Sequence, residues 1–257
     1  MRKLFFFDID GTLTSAAEFG KIYDSTKEAI CRLKENGHFV ALATGRALFR
    51  ARAFQAEIGI ENMVCEGGSC IIFNHQQVFY EPPNQALLKE IYKEAVEKQV
   101  GVAVACEDSD QRIAPNPLFH ELAGDFHEFM SVRVDTRFCI DEAEIIRRLF
   151  IADPHKKMDI TKLEQIGVMH YGKDQFIIIE PDDKYRGIKR VCELLGEQEK
   201  QIVVFGDGWN DRKMFQQAPF AIAMGNAVPE VKKEADYVTA DSDHDGIYLA
   251  CEHFGWI

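Results

Sequence analysis

The sequence predicts an α/β protein: a parallel-sheet core with helices on both faces, interrupted by a separate α/β insert. Three observations carry this. Residues 3–9 form a continuous apolar run ending in carboxylates, as expected of a parallel strand buried on both faces with polar groups at its C-terminal end. Strand-like runs alternate with helical patterns up to about residue 57 and again from about residue 184, and this alternation implies right-handed crossovers. Two polar segments, Glu81-Pro82-Pro83-Asn84 and Glu180-Pro181-Asp182-Asp183, bracket a stretch with helical and strand patterns of its own. The predicted division is residues 1–81 and 183–257 for a discontinuous core and 82–182 for the insert.

After the first strand, Ser25-Thr26-Lys27-Glu28 offers a capping box, Ala29, Ile30 and Leu33 share a helical face, and Asn36-Gly37 supplies a stop. A helix over about 26–36 follows. His38 to Ala43 is a second buried strand, and Thr44-Gly45-Arg46 turns out of it into a helix reaching about residue 57. Between Met63 and Tyr80, short strands with turn signals at Gly67-Gly68 and Asn74-His75 predict a hairpin. Within the insert, a helix is expected over Leu87 to Lys98, another around Asp141 to Leu149, and a strand at Phe176 to Ile179. The core resumes with a helix ending at Leu195-Gly196, the strand Ile202 to Phe205 and a helix over Asn210 to Gln217. The strand Ala221 to Met224, a helix start near Pro229, the strand Tyr237 to Thr239 and a terminal helix after Asp245-Gly246 complete it.

With 257 residues, 46% of them hydrophobic and 28% charged, the chain can build a sizeable core and is not compositionally disordered. Its formal charge of −12 repels nucleic-acid backbones and anionic lipid. The insert has 12 Lys or Arg against 19 Asp or Glu and so no basic surface for a polyanion, which favours a small ligand. The first apolar run, Leu4 to Phe7, is too short for an export signal, and no run approaches the ~20 residues that cross a bilayer. Seven scattered cysteines without a C-x-x-C pair argue against a disulfide framework or structural zinc and predict reduced core thiols in a cytoplasmic protein. The eight histidines lack metal-ligand spacing, so His120, His127 and His170 are left out of the chemistry.

Four polar clusters remain: Asp8-Ile9-Asp10-Gly11-Thr12, Thr44-Gly45-Arg46, Lys184 to Gly187, and Gly206-Asp207-Gly208-Trp209-Asn210-Asp211. Three follow predicted strands, where ligands bind in open α/β sheets. If the first strand persisted, Asp8 and Asp10 would share a face. Mg2+ takes oxygen ligands and keeps several waters, so Asp8, Asp207 and Asp211 can supply a site from separate loops. With the phosphate oxygens neutralised, a carboxylate can attack phosphorus, and Asp8 is the predicted nucleophile. Asp10 is placed to protonate the leaving alkoxide and then deprotonate water. The Thr44 hydroxyl and the amides of Ile9, Asp10 and Gly45 are the predicted phosphoryl contacts. Trp209 either contacts substrate or packs at a helix start, and the packing role is ranked first. Arg46 and Asn226 each either bind phosphate or substrate or cap a local turn.

The motifs Asp8-Ile9-Asp10-Gly11-Thr12-Leu13, Ala43-Thr44-Gly45-Arg46, Gly206 to Asp211 and Met224-Gly225-Asn226-Ala227 resemble the haloacid dehalogenase superfamily, specifically its Cof-type phosphatases. The resemblance implies a Rossmann-like core with an inserted α/β cap. It implies Asp8 as nucleophile and metal ligand, Asp10 as general acid/base and metal ligand through its carbonyl, Thr44 as phosphate-binding hydroxyl and Asp207 as metal ligand. Asp211 and Asn210 match additional acidic-loop positions, and Arg46, Asn210 and Asn226 stand as substrate-binding candidates. One position departs from the pattern. The family's lysine directly precedes a glycine, whereas here Arg186 precedes Gly187 and Lys184 lies two residues earlier, so either can neutralise the phosphate, with Lys184 ranked first. The implied activity is Mg2+-dependent hydrolysis of small phosphomonoesters, of the sugar phosphate, flavin mononucleotide or pyridoxal phosphate class. A sugar phosphomutase and a non-catalytic phosphometabolite sensor are the alternatives.

Overall fold

A computed structural model describes all residues except 1, 19, 127–129, 160, 162, 164–165 and 173–174. His127 lies outside the described residues. The chain divides into two compact units, Met1–Tyr80 with Asp183–Ile257, and Glu81–Asp182.

The first unit begins with β1 (Leu4–Phe7), α1 (Asp24–Glu35), β2 (Phe39–Ala43), α2 (Leu48–Ile58), β3 (Asn62–Cys65), β4 (Cys70–Phe73) and β5 (Gln76–Tyr80). The second holds α3 (Gln85–Glu97), β6 (Gly101–Ala105), β7 (Gln111–Ala114), α4 (Leu118–Leu122), β8 (Ser131–Val134), β9 (Arg148–Ala152), β10 (Val168–Tyr171) and β11 (Phe176–Ile179). The first unit then resumes with α5 (Lys184–Leu195), β12 (Ile202–Gly206), α6 (Arg212–Gln217), β13 (Ala221–Ala223), α7 (Pro229–Glu234), β14 (Tyr237–Val238) and α8 (Gly246–His253).

The core sheet runs β14-β13-β12-β1-β2-β3-β4-β5, parallel from β14 through β3 and antiparallel at the last two pairings. All four β1 residues are fully buried because each face of the sheet is covered. Phe5 and Phe7 pack with α1 and α8 residues such as Ile30, Leu33 and Ile247. Leu4 and Phe6 pack on the other face with Ile188 and Val191 of α5 and Met214 of α6. Each such aromatic contributes roughly 1.5–3 kcal/mol on burial. β1 sits centrally, and the chain leaves it for β2 on one side and later returns to β12 on the other, which opens a crevice at the strands' carboxyl ends.

The second sheet runs β10-β11-β9-β6-β7-β8, antiparallel except for β7 with β8. Its two faces carry separate clusters, one around Leu88 and Ile91 of α3, the other around Phe119 of α4 with Phe150 and Phe176.

Three local expectations differ from the structure. The helix expected around Asp141 to Leu149 is a single turn over Ile140–Glu142 followed by strand β9. Leu149 and Ile151 feed one cluster and Phe150 and Ala152 the other, the period of two that a strand requires. The helix over 26–36 starts at Asp24, with Tyr23 as N-cap and no side-chain cap, so Ser25 to Glu28 form no capping box. The expected hairpin is a three-stranded meander of β3, β4 and β5, with its turns at the two places the glycines and Asn74-His75 mark. Of the cysteines, all free, Cys65, Cys70, Cys192 and Cys251 are buried, whereas Cys31 and Cys139 are exposed. No helix among the described residues is long and apolar enough to cross a membrane.

Candidate active site

β1 stops at Phe7, and the Asp8 amide makes the last ladder bond, donating to the Phe205 carbonyl at 3.0 Å. The chain then winds into a tight turn over Ile9–Leu13, in which Gly11 takes φ +75°. Asp8 and Asp10 therefore do not share a strand face. Asp8 points into the protein at 3% exposure, whereas the Asp10 side chain is 55% exposed. A Cβ on Gly11 would lie 2.3 Å from Asp207 Oδ2, so only glycine lets this turn approach the carboxylate that follows β12.

Lys184 is the first residue of α5, begun by Asp183, whose carboxylate accepts the Arg186 amide at 3.1 Å. Gly68, at φ +96°, allows that start to pass close, since a Cβ there would stand 2.0 Å from the Asp183 carbonyl oxygen. Lys184, 2% exposed, donates from Nζ to Asp8 Oδ1 at 2.7 Å and Asp211 Oδ1 at 2.6 Å. Arg186 stands on the exposed side of α5, and its guanidinium donates to Ser69 Oγ at 3.3 Å. Of the two candidate cations, the structure brings Lys184 to the carboxylates.

Asp211 is fully buried, and its Oδ2 accepts the amides of Asp207 at 2.9 Å and Gly208 at 3.0 Å, which fixes the loop after β12. Asp207 accepts from Thr12 Oγ1 at 2.9 Å. Oxygens of Asp8, Asp207 and Asp211 lie within 4.8 Å of one another. Burial, reinforced by Asp211, holds the Asp8 carboxyl well above the usual carboxylate range. Burial and Asp211 push Asp207 up to about 6. Burial pulls the Lys184 ammonium down, but Asp211 and Asp8 outweigh it and leave its pKa raised. Three carboxylates against one ammonium leave a negative excess in a desolvated place, and the donors are all hard oxygens. This set fits a divalent cation of the Mg2+ kind. Asp10's carboxylate lies outside the cluster.

Thr44 follows β2 and is buried, and its Oγ1 accepts the Arg46 amide at 3.1 Å, which leaves the hydroxyl proton for a further acceptor. Gly45 is half-buried in the turn between them. Arg46 does not cap this turn with its side chain. It grips Asp10 through two bonds, at 2.8 and 2.5 Å, with its guanidinium 4.3 Å from the Phe54 ring centre. Asn210 is exposed. Asn226 Nδ2 donates to the Gly11 carbonyl at 2.8 Å and lies 3.4 Å from Asp207 Oδ2, and its Oδ1 accepts the Ser242 amide at 2.9 Å. Its amide is thus engaged with protein at both ends. Trp209 does not pack either: the turn that carries it is held by Asp211, and the indole is 57% exposed. His120 bonds the Val132 carbonyl and His170 lies exposed on β10, both in the other unit.

Sequence reasoning missed Phe54 beneath Arg46, the hydroxyl of Thr12 on Asp207, and Ser242. Thr12 lay inside a motif already singled out. Ser242 is 16 residues beyond Asn226, and only the fold brings them together.

Residues 5–250 match the haloacid dehalogenase-like hydrolase family. YkrA of Bacillus subtilis (strain 168) is 31% identical over 267 residues, covering 98% of each chain. The 5-amino-6-(5-phospho-D-ribitylamino)uracil phosphatase YcsE of the same organism is 24% identical over 255 residues, covering 98% of this chain and 95% of its own. Among solved structures, a protein of Geobacillus kaustophilus HTA426 superposes with TM-score 0.82 at 28% identity over 100% of both chains. The HAD subclass IIB sugar phosphatase BT4131 superposes with TM-score 0.77 at 26% identity, over 99% of this chain and 100% of its own.

Proposed function

The chain belongs to the haloacid dehalogenase-like hydrolases and is a phosphatase of that family, and from this premise we propose that it hydrolyses small phosphomonoesters with Mg2+ through an aspartyl-phosphate. The observation that carries the reading is the buried Lys184 between Asp8 and Asp211, with Asp207 beside them.

In this reading Asp8 is the nucleophile. Lys184 holds its Oδ1, which orients Oδ2 as the attacking atom. Attack forms the carboxylate–phosphorus bond and breaks the phosphorus–ester oxygen bond, and the leaving alkoxide takes its proton from Asp10, whose carboxyl must first leave Arg46 and be protonated to serve as the acid. Asp10 then accepts a proton from water as that water displaces Asp8 from phosphorus, which returns both carboxylates to their starting states. Thr44 Oγ1 and the Gly45 amide donate to the phosphoryl oxygens, and Lys184 places its charge beside them. Asp8, Asp207 and the Asp10 carbonyl would hold Mg2+, while Asp211, whose Oδ1 already accepts from Lys184 and whose Oδ2 accepts two amides, keeps Lys184 and the loop after β12 in place. When bound, Mg2+ supplies positive charge to the phosphoryl oxygens and lets neighbouring carboxylates stay ionised.

The test is phosphate release from a panel of sugar phosphates, flavin mononucleotide and pyridoxal phosphate with Mg2+, on wild type and Asp8→Asn. Turnover abolished by EDTA and by the substitution is the expected result. Full activity of Asp8→Asn overturns the nucleophile. Transfer to a sugar hydroxyl without phosphate release means a mutase, and tight binding without turnover means a sensor.

A further inference from the structure

We propose that Asn226 is a positioning residue for the cation site, acting through Asp207 and Gly11, in place of a substrate contact. The inference rests on the reading of Asp8 and Asp207 as cation ligands.

Asp207 is held from two sides. Thr12 Oγ1 donates to Oδ1 at 2.9 Å, and Asn226 Nδ2 lies 3.4 Å from Oδ2. The stronger Asn226 bond, at 2.8 Å, goes to the carbonyl of Gly11. Gly11 presses so closely on Asp207 that a Cβ would lie 2.3 Å from Oδ2. Fixing Gly11 therefore fixes the wall against which that oxygen rests.

The Asn226 amide has one orientation available. Its Oδ1 accepts the Ser242 amide at 2.9 Å, so the opposite end, facing a carbonyl and a carboxylate, must be the NH2 group. Ser242 is buried, and its Oγ accepts the Ala16 amide at 3.0 Å. The turn after β14 is thereby tied to the segment after β1, with Asn226 between that turn and Asp207. A ligand carboxylate oriented by such a partner loses about 10- to 100-fold in metal affinity when the partner is removed.

The experiment measures Mg2+ binding by titration calorimetry, without substrate, on wild type, Asn226→Ala and Thr12→Val. Each substitution is expected to weaken Mg2+ binding about 10-fold, with turnover rising back toward wild type as Mg2+ is raised. An unchanged Mg2+ affinity in Asn226→Ala with a raised KM for the ester restores the substrate role and overturns the proposal. A lowered melting temperature with unchanged Mg2+ affinity overturns it in favour of a purely structural role. If Asn226→Ala does not fold, Asn226→Ser replaces it, and wild-type Mg2+ affinity there is equally fatal. Wild-type protein that takes up no Mg2+ sinks the cation reading and this inference together, whereas uptake that Asn226→Ala leaves intact sinks the inference alone.

Discussion

At Lys184, one ammonium is shared by two carboxylates in a place water does not reach. Removing one partner of such a buried set leaves uncompensated charge, so Lys184→Met is expected to cost about 3–5 kcal/mol in urea unfolding without Mg2+. Turnover should fall by about 100- to 1,000-fold, since the phosphoryl group loses its neighbouring cation. Asp207 gives a pH test. Its folded pKa, about 6, lies above the ordinary value, so its contribution to stability is present below the unfolded pKa and is lost as pH rises through about 6. Asp8, also raised, acts in the same sense. The protein without Mg2+ should lose stability over that window, while Mg2+ affinity climbs as the competing protons leave. The rise in melting temperature on adding Mg2+ should therefore grow between about pH 5 and about pH 7; a rise independent of pH contradicts it. That Asp8, Asp207 and Asp211 come together was legible because each lies in a short motif of chemical groups after an apolar run. The engagement of Arg46 with Asp10 was not, since 36 residues separate them and no spacing rule links the two loops.

Helix α5 explains how Lys184 reaches the carboxylates although Arg186 occupies the position beside the glycine. Lys184 and Arg186 are two residues apart in one helix, roughly 200° around its axis, so only one can face inward. The Asp183 cap sets where the helix begins and hence which one does. Asp183→Ala is expected to cost about 1 kcal/mol, the usual loss for an N-cap. Its effect on kcat should be larger, up to about 100-fold, because displacing Lys184 disturbs the geometry around Asp8. A stability loss with kcat unchanged would show that other contacts alone set the register of α5. Elements with period-two or uninterrupted apolar runs, such as β1, β2 and β11, were readable to within a few residues. β9 was not, since its run is short and carries buried Arg148, and an apolar run of that length fits a helix or a strand until its neighbours are known.

The two units have separate apolar clusters, and every residue of the candidate site belongs to the first. Proline and carboxylates interrupt otherwise apolar patterns at 81–84 and 180–183, and the two units part beside those segments. The side chains that select a substrate were not readable, since selection depends on tertiary placement. A ligand that binds only the folded form stabilises what it touches, by about 2.7 kcal/mol at a hundredfold excess over its Kd. Mg2+ alone should therefore slow amide exchange in the first unit, most of all at Asp8–Thr14, Asp207–Asp211 and around Asn226, where the loops are tied to the carboxylates. Exchange across β6 and β9 should stay as it was, because those strands belong to a core that has no part in the carboxylate cluster. Hydrogen-exchange mass spectrometry with and without Mg2+ reads both units at once. Protection spread evenly over both would mean that the units unfold as one and that the separate clusters are coupled, whereas protection confined to the second would move the cation site out of the first unit altogether.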